Sequence, residues 1–139
     1  MSTLFTSPAN DVWLSLIRIT QSISRAGGEQ LRARGVSAAQ FQLLAQVSAH
    51  VGIMQHELAT ELGVTKGNIS QLIAKLVDDG LLQRNPQGAA IRLSLTTAGE
   101  ALIAEMLPAY HAFIAARFVA LTSDDLAQLQ QLLSKIHQE

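Results

Sequence analysis

Residues 55 to 82 constrain the fold of this chain most strongly, because they predict two short helices joined by a glycine turn. In the first helix, Leu58 and Leu62 fall on one face, and Gly63 suits the left-handed conformation that ends many helices. Thr65 is a good N-cap for the second helix. That helix carries a broad apolar stripe made of Ile69, Leu72, Ile73, Leu76 and Val77. The pattern indicates a helix-turn-helix.

The face of the second helix opposite this stripe is polar and suits the DNA major groove. Asn68 and Gln71 can each make bidentate contacts to an adenine edge, and Ser70 can donate to a phosphate or a base. Two lysines can meet phosphates as point charges. The predicted DNA contacts of this region are Thr65, Lys66, Asn68, Ser70, Gln71 and Lys75. The alternative is that these residues form only the solvated face of an amphipathic helix.

The spacing of the apolar residues changes after this helix, from a helical period to alternation. Residues 90 to 95, AIRLSL, alternate small or polar with apolar side chains and predict a half-buried strand. Residues 81 to 84 can supply its partner, and residues 85 to 88, NPQG, predict the turn between them. A helix-turn-helix followed by a β-hairpin is a winged helix. The hairpin would carry Arg84 and Arg92, and we expect both to reach phosphate or the minor groove.

The segment before the helix-turn-helix predicts two helices and a short link. A first long helix covers about residues 10 to 34, and Gly27-Gly28 is expected to kink or loosen it. Ser37 and Gln40 form a capping box that opens a second helix, which runs to about His50. The extended link at residues 51 to 53 is expected to pair with the hairpin.

The segment after the hairpin predicts two more helices. The first starts at a capping box at residues 97 to 100 and runs to Val119 or Ala120, with a bend at Pro108. Thr122 caps the last helix. The terminal helices carry heptad-like seams with more apolar surface than one small core requires, which predicts a homodimer. Its predicted interface contains Val12, Leu16, Ile19, Phe118, Leu126, Leu129, Leu133 and Ile136. The alternative is that the two terminal regions pack only on each other within one chain.

Composition narrows the classes that this chain can belong to. Its 139 residues suit one domain, and 48% hydrophobic with 15% charged residues indicates a globular protein. The absence of cysteine excludes disulfides and thiolate metal sites. The sequence shows no signal peptide and no apolar run near the length of a membrane span, so we expect a cytoplasmic protein. The formal net charge of −1 predicts modest DNA affinity with few phosphate contacts.

No pattern typical of an enzyme, a metal site or a bound cofactor is present in the sequence. His56 and Glu57 begin like a zinc-binding HExxH motif, but Thr60 replaces the second histidine. His50, His111 and His137 have no ligand at a suitable spacing. We therefore expect neither catalysis, nor a metal, nor a cofactor. Four side chains on the terminal helices could border a pocket for an aromatic effector, although core packing is the commoner role for each of them: Trp13, Tyr110, His111 and Phe113.

Five short segments together resemble the MarR (multiple antibiotic resistance regulator) family of winged-helix transcription factors over nearly the whole chain. They are VSAAQF at 36–41, QHELA at 55–59, LGVTK at 62–66, LVDDGLL at 76–82 and LTTAG at 95–99. The resemblance implies a dimer that binds a pseudo-palindrome through two major-groove helices. It also implies release from DNA by a small, often aromatic or phenolic ligand held between the dimer helices and the winged domain.

The chain departs from the family pattern in its hairpin. The family usually has Asp-Arg-Arg at the position of Gln87-Gly88-Ala89, and often an arginine at the position of Gln71. Losing these cations removes phosphate or minor-groove contacts and flattens the salt dependence of binding. Arg84 and Arg92 can compensate in part. If these two arginines do not compensate, we expect this chain to bind DNA weakly, to need a second factor, or to bind protein through its winged helix.

These observations predict a mainly α fold with a small β-hairpin wing, in which terminal dimerisation helices flank a winged helix-turn-helix. We expect one MarR-like domain over residues 1–139, with dimerisation helices at about 10–34 and 97–138 and the winged helix at about 37–96. The predicted function is that of a homodimeric, effector-responsive transcriptional repressor that binds a pseudo-palindromic operator. The alternative function is a winged-helix module that binds protein, with weak or no DNA binding.

Overall fold

The computed structural model describes residues 7–136 and confirms a mainly α fold with one antiparallel hairpin. His137, which the sequence analysis set aside as a metal ligand, lies outside the described residues. In chain order the elements are α1 (Pro8–Arg32), α2 (Ala38–Ala49), α3 (Gln55–Leu62), α4 (Lys66–Asp78), β1 (Leu82–Gln87), β2 (Ala90–Leu95), α5 (Thr97–Arg117) and α6 (Ser123–Ser134).

The main core lies in the winged helix, between α2, α3, α4 and the hairpin. The capping box predicted for α2 is present: the backbone N–H of Gln40 donates to Ser37 Oγ, and that of Ser37 donates to Gln40 Oε1. The apolar stripe of α4 faces inward, with Ile69, Ile73 and Leu76 buried. They share this core with Phe41, Leu43, Leu44, Leu58, Leu82 and Leu93. Burial of this stripe orients the polar face of α4 toward solvent.

The helix-turn-helix forms as the sequence predicts. Gly63 ends α3 with a φ of 66°, in the left-handed region where a side chain is disfavoured. Two residues later Thr65 caps α4, and its side-chain oxygen accepts a hydrogen bond of 3.2 Å from the backbone N–H of Asn68.

The hairpin differs from the prediction in where it turns. Residues 85 to 87 continue β1, and the turn is the two-residue step Gly88-Ala89, with Gly88 at a φ of 60°. Pro86 pairs with Ile91 inside the ladder. A proline is tolerated there because β1 is an edge strand, so its missing N–H breaks no ladder. We call residues 82–95 the wing.

The link before α3 pairs with the wing, as the sequence predicts. The backbone N–H of Leu93 donates to the carbonyl of Ile53 over 2.9 Å, and Met54 forms an isolated bridge with Arg92. The loop between α2 and α3 is therefore attached to the outer edge of β2.

Helix α1 continues from Pro8 to Arg32 through Gly27 and Gly28, which are both buried, and the kink or loosening expected there stays a prediction. A Cβ on Gly27 would lie 3.1 Å from Cε1 of Phe113. Gly27 therefore permits close packing between α1 and α5. The fifth helix continues through Pro108, as predicted, and ends at Arg117, slightly earlier than predicted. The capping box predicted at residues 97 to 100 is wrong by one residue, because Thr96 caps the helix and accepts a hydrogen bond from the backbone N–H of Gly99. The bend at Pro108 stays a prediction.

The start of α5 is fixed against the end of α4. Thr96 Oγ1 donates to the carbonyl of Gly80 over 2.6 Å, and the backbone N–H of Thr96 donates to the carbonyl of Leu81 over 3.2 Å. Gly99 lies so close to this segment that an added Cβ would overlap the carbonyl oxygen of Leu81. These contacts explain why a glycine occurs three residues after Thr96, and they orient α5 relative to α4.

Candidate nucleic-acid interface

The polar face of α4 is exposed along the first three turns of the helix. Asn68 and Gln71 are both exposed, and they lie three positions apart, a spacing that places two side chains on one helical face. Gly67 is exposed beside them, and a Cβ there would meet nothing within 4 Å. Lys66 is the first residue of α4, and its side chain is outside the described part of the structure. Two amides and an open glycine therefore lie near the capped end of α4.

Two predicted contact residues of α4 also interact with their own chain. Ser70 Oγ accepts a hydrogen bond of 2.9 Å from Nε2 of Gln55, which joins the two helices of the helix-turn-helix. Lys75 Nζ lies 3.4 Å from Oδ1 of Asp79, an exposed pair one helical turn apart. The hydroxyl proton of Ser70 remains available to a phosphate or base. Sequence reasoning missed Gln55, because its partner is 15 residues away along the chain.

The two arginines of the wing lie on opposite faces of the hairpin. Partners in an antiparallel ladder share a face, and Arg84 pairs with Leu93 on the face that includes the buried Leu82 and Leu95. Arg92 pairs with Asn85 on the other face. Arg84 is exposed, whereas Arg92 is half-buried. The sequence prediction had treated the two as equivalent.

The guanidinium of Arg92 already has two acceptors within the chain. Its NH1 donates to the carbonyl oxygen of Gly52 over 2.8 Å, and its Nε donates to Oε1 of Gln87 over 2.9 Å. Its role in DNA contact stays a prediction from sequence. No residue from 85 to 91 carries a positive charge, so the end of the wing is uncharged.

The predicted effector residues are only partly brought together. Tyr110 lies between two cavities of about 540 and 180 Å³, its hydroxyl accepts a hydrogen bond of 2.8 Å from Nε2 of Gln42, and its ring lies 4.7 Å from that of Phe41. His111 lines the larger cavity. The ring of Phe113 lies 6.4 Å from that of Tyr110 between centroids, but Phe113 lines neither cavity.

Trp13 lies apart from this group. It is 58% exposed and lines neither cavity. It lies fourteen residues before Gly27, a distance of about 21 Å along a helix. Gln42, by contrast, was not predicted and lines both cavities. The hydrogen bond of Gln42 joins residues 68 positions apart, so no local sequence pattern points to it.

The residues predicted to form a dimer interface remain accessible in the single chain. Val12 and Ile19 of α1 are 54% and 53% exposed, and Leu126 and Ile136 are exposed near the carboxyl end. Helix α6 has no buried residue. The other four predicted interface residues are half-buried: Leu16, Phe118, Leu129 and Leu133.

Comparison with known proteins agrees with this geometry. A sequence model of the MarR family matches residues 34–90, which include the helix-turn-helix and most of the wing. A helix-turn-helix transcriptional regulator of Bacillus cereus is 32% identical over 127 residues, covering 91% of this chain and 86% of its own length. The chain belongs to the MarR family of transcriptional regulators.

Two further proteins are similar to this chain over most of their length. A mutant MarR from E. coli, solved in complex with operator DNA, has a TM-score of 0.76 and 28% identity, covering 94% of this chain and 98% of its own. The transcriptional repressor MdtR of Bacillus subtilis is 26% identical, covering 93% of this chain and 85% of its own length. This MarR-family chain is thus a winged-helix transcriptional regulator and not an enzyme.

Residues 7–136 contain neither a metal-binding cluster nor a membrane-spanning helix. No group of histidine and acidic side chains there is arranged to hold a metal ion. None of the helices in that range combines the length and the apolarity needed to cross a membrane.

Proposed function

We propose that this regulator is a homodimeric repressor that binds a pseudo-palindromic operator through α4 and responds to a small effector. One observation carries the proposal. The capped α4 presents Asn68 and Gln71 to solvent, in a fold shared with a MarR that was solved on operator DNA. Repression is the activity named for MdtR and is proposed here by similarity.

Helix α4 would enter the major groove with its amino-terminal half. Asn68, Ser70 and Gln71 would contact base edges or position the helix, and Lys66, Lys75 and Arg84 would meet phosphates. Thr65 supports this arrangement because it caps the end of the helix that approaches the DNA. The amides of Asn68 and Gln71 have the donor and acceptor pair that matches an adenine edge.

The exposed apolar side chains of α1 and α6 support the homodimer. Val12, Ile19 and Leu126 are exposed and do not belong to the buried core, so a monomer would leave them in water. A twofold axis that joins these helices in two copies would cover them and pair the two recognition helices. Half-sites would then lie about 10 bp apart, or a multiple of that distance.

The two cavities beside Tyr110 support an effector site between α5 and the winged helix. The larger is open and mainly apolar, and its polar groups are those of Gln42, Tyr110 and His111. Neither lysine nor arginine lines either cavity among the described residues. A planar, uncharged molecule with one hydrogen-bonding group would fit this lining. By occupying the cavity it would favour one separation of the recognition helices over another.

Binding to DNA from the promoter region of its own gene tests the proposed function. We expect nanomolar binding that outcompetes scrambled DNA and weakens as salt rises from 50 to 200 mM, because phosphate contacts release counterions. Equal, weak binding to both fragments would contradict operator recognition. Binding that hardly responds to salt would instead favour the protein-binding alternative.

A further inference from the structure

We propose that the wing of this protein reads no DNA minor groove, and that Arg92 instead braces the wing against the loop between α2 and α3. Base recognition would then be confined to α4 in the major groove. This inference rests on the proposed operator binding. It specifies which groove of the operator DNA the protein recognises.

The end of the wing has few side chains that suit the minor groove. Side chains that read the minor groove are mostly arginine and lysine, which are attracted by its negative potential, or asparagine and glutamine. The turn Gly88-Ala89 contains none of these four residue types, and residues 85 to 91 include no cation. Only the amides of Asn85 and Gln87 remain near the end.

Those two amides have partners within the wing itself. Asn85 Nδ2 donates to Ser94 Oγ over 2.7 Å, and Oε1 of Gln87 accepts from Arg92 over 2.9 Å. Asn85 and Arg92 are direct cross-strand partners, so these contacts share one face of the hairpin. Inserting either amide into a groove would break a bond that the free protein already has.

Arg92 is held against the loop between α2 and α3. Its NH1 donates over 2.8 Å to the carbonyl of Gly52, a residue 40 positions earlier and at a φ of 74°. Its Cδ would lie 3.8 Å from a Cβ at Gly52, so the side chain lies along this loop. The fork of donors thereby connects the wing to the loop that precedes α3, which positions the helix-turn-helix.

Arg84 does not replace the missing contact. It pairs with Leu93, and three further residue pairs separate it from the turn, which corresponds to about 10 Å along a strand. It lies on the face opposite Arg92, where a phosphate beside α4 is the nearer target. We therefore assign Arg84 to phosphate binding and Arg92 to positioning.

Base analogues that alter only the minor groove test the inference on an operator identified by promoter binding. Diaminopurine in place of adenine adds a minor-groove amino group, and inosine in place of guanine removes one, while the major-groove hydrogen-bonding pattern is kept. With these changes in the base pairs flanking each half-site, we expect affinity to stay within twofold. A tenfold loss would overturn the inference alone, and a protein that selects no promoter fragment would overturn the proposed function with it.

The variant Ala89→Arg is the matched positive control. It adds to the turn the cation that residues 85 to 91 lack, at an exposed residue without positive φ. We expect tighter binding and new sensitivity to the flanking diaminopurine. If the unmodified wing is already sensitive while A89R adds nothing, the minor groove is being read by this wing and the inference is wrong.

The salt dependence of Arg92 variants tests the brace directly. Removing a phosphate contact lowers the slope of log affinity against log salt by about 0.9, whereas removing a brace lowers the melting temperature and leaves the slope unchanged. We expect Arg92→Gln to lower the melting temperature and leave the slope unchanged, as the loss of a brace does. Arg84→Gln should lower the slope, as the loss of a phosphate contact does. Arg92→Lys keeps the charge but cannot bridge both acceptors, so it should melt early as well. An unchanged melting temperature for R92K, or a lower slope of log affinity against log salt for R92Q, would overturn the assignment.

Discussion

The side-chain amide of Gln42 donates a hydrogen bond of 2.8 Å to the hydroxyl of Tyr110, and this bond joins the winged helix to α5. Both residues line the two cavities that flank the bond. A ligand that entered from either side would therefore meet the same polar pair. The contact is a natural point at which effector binding and the position of α4 could be coupled.

A double-mutant cycle tests the strength of this contact. We expect Tyr110→Phe to lower the free energy of unfolding by about 1 kcal/mol, because it leaves the part-buried amide of Gln42 without its partner. Adding Gln42→Leu should recover part of the loss, since replacing both partners avoids the unsatisfied group. Urea unfolding of the four proteins gives the coupling, and strictly additive losses would contradict a direct bond.

Replacing Gly99 should destabilise the protein. In Gly99→Ala the new Cβ overlaps the carbonyl oxygen of Leu81, which is backbone and cannot rotate away. We expect the free energy of unfolding to fall by about 1–3 kcal/mol, as for other overpacked sites. Thermal melting checks this.

Gly67→Ala is the matched control for that substitution. It adds the same methyl group to a helix, but at a position with nothing within 4 Å. It should stabilise α4 by about 1 kcal/mol, because alanine favours helix more than glycine does. If both variants lose stability equally, the close approach at Gly99 is not the cause. A loss of operator affinity in G67A, despite its higher stability, would indicate that the backbone approaches DNA there.

Gln71→Ala should relax recognition at one base pair. We expect a loss of about 1–3 kcal/mol on the operator and little change on random DNA, because a base contact is lost while phosphate contacts remain. Binding titrations on both DNAs measure the difference. Equal losses on the two would show that Gln71 only supports the helix.

Ile19→Glu should split the dimer. A carboxylate on the exposed apolar face of α1 would be buried without a partner in the proposed interface, so sedimentation should show a monomer at concentrations where the parent is dimeric. Val51→Glu is the control, because Val51 is 96% exposed on the loop before α3, apart from the terminal helices. The proposed interface is wrong if I19E sediments like the parent, or if V51E dissociates as I19E does.

Local sequence determined the helices of this protein and most of their ends. Ser37, Thr65 and Thr122 cap helices through atoms three residues away, and Gly63 ends α3 through its own conformation. Such interactions are complete within one turn of chain, so the sequence specifies them without knowledge of the fold. The polar face of α4 follows from the same periodicity.

Only the tertiary structure decided features that depend on distant residues. The glycines at 27 and 28 suggested a kinked or loosened helix, whereas in the structure Gly27 makes room for the ring of Phe113. Pro86 suggested a turn, whereas in the structure it lies in an edge strand. Arg92 looked free for DNA in the sequence, and its acceptor at Gly52 lies 40 residues away. Sequence patterns report which contacts a residue type can make, whereas packing decides which partner actually lies within reach.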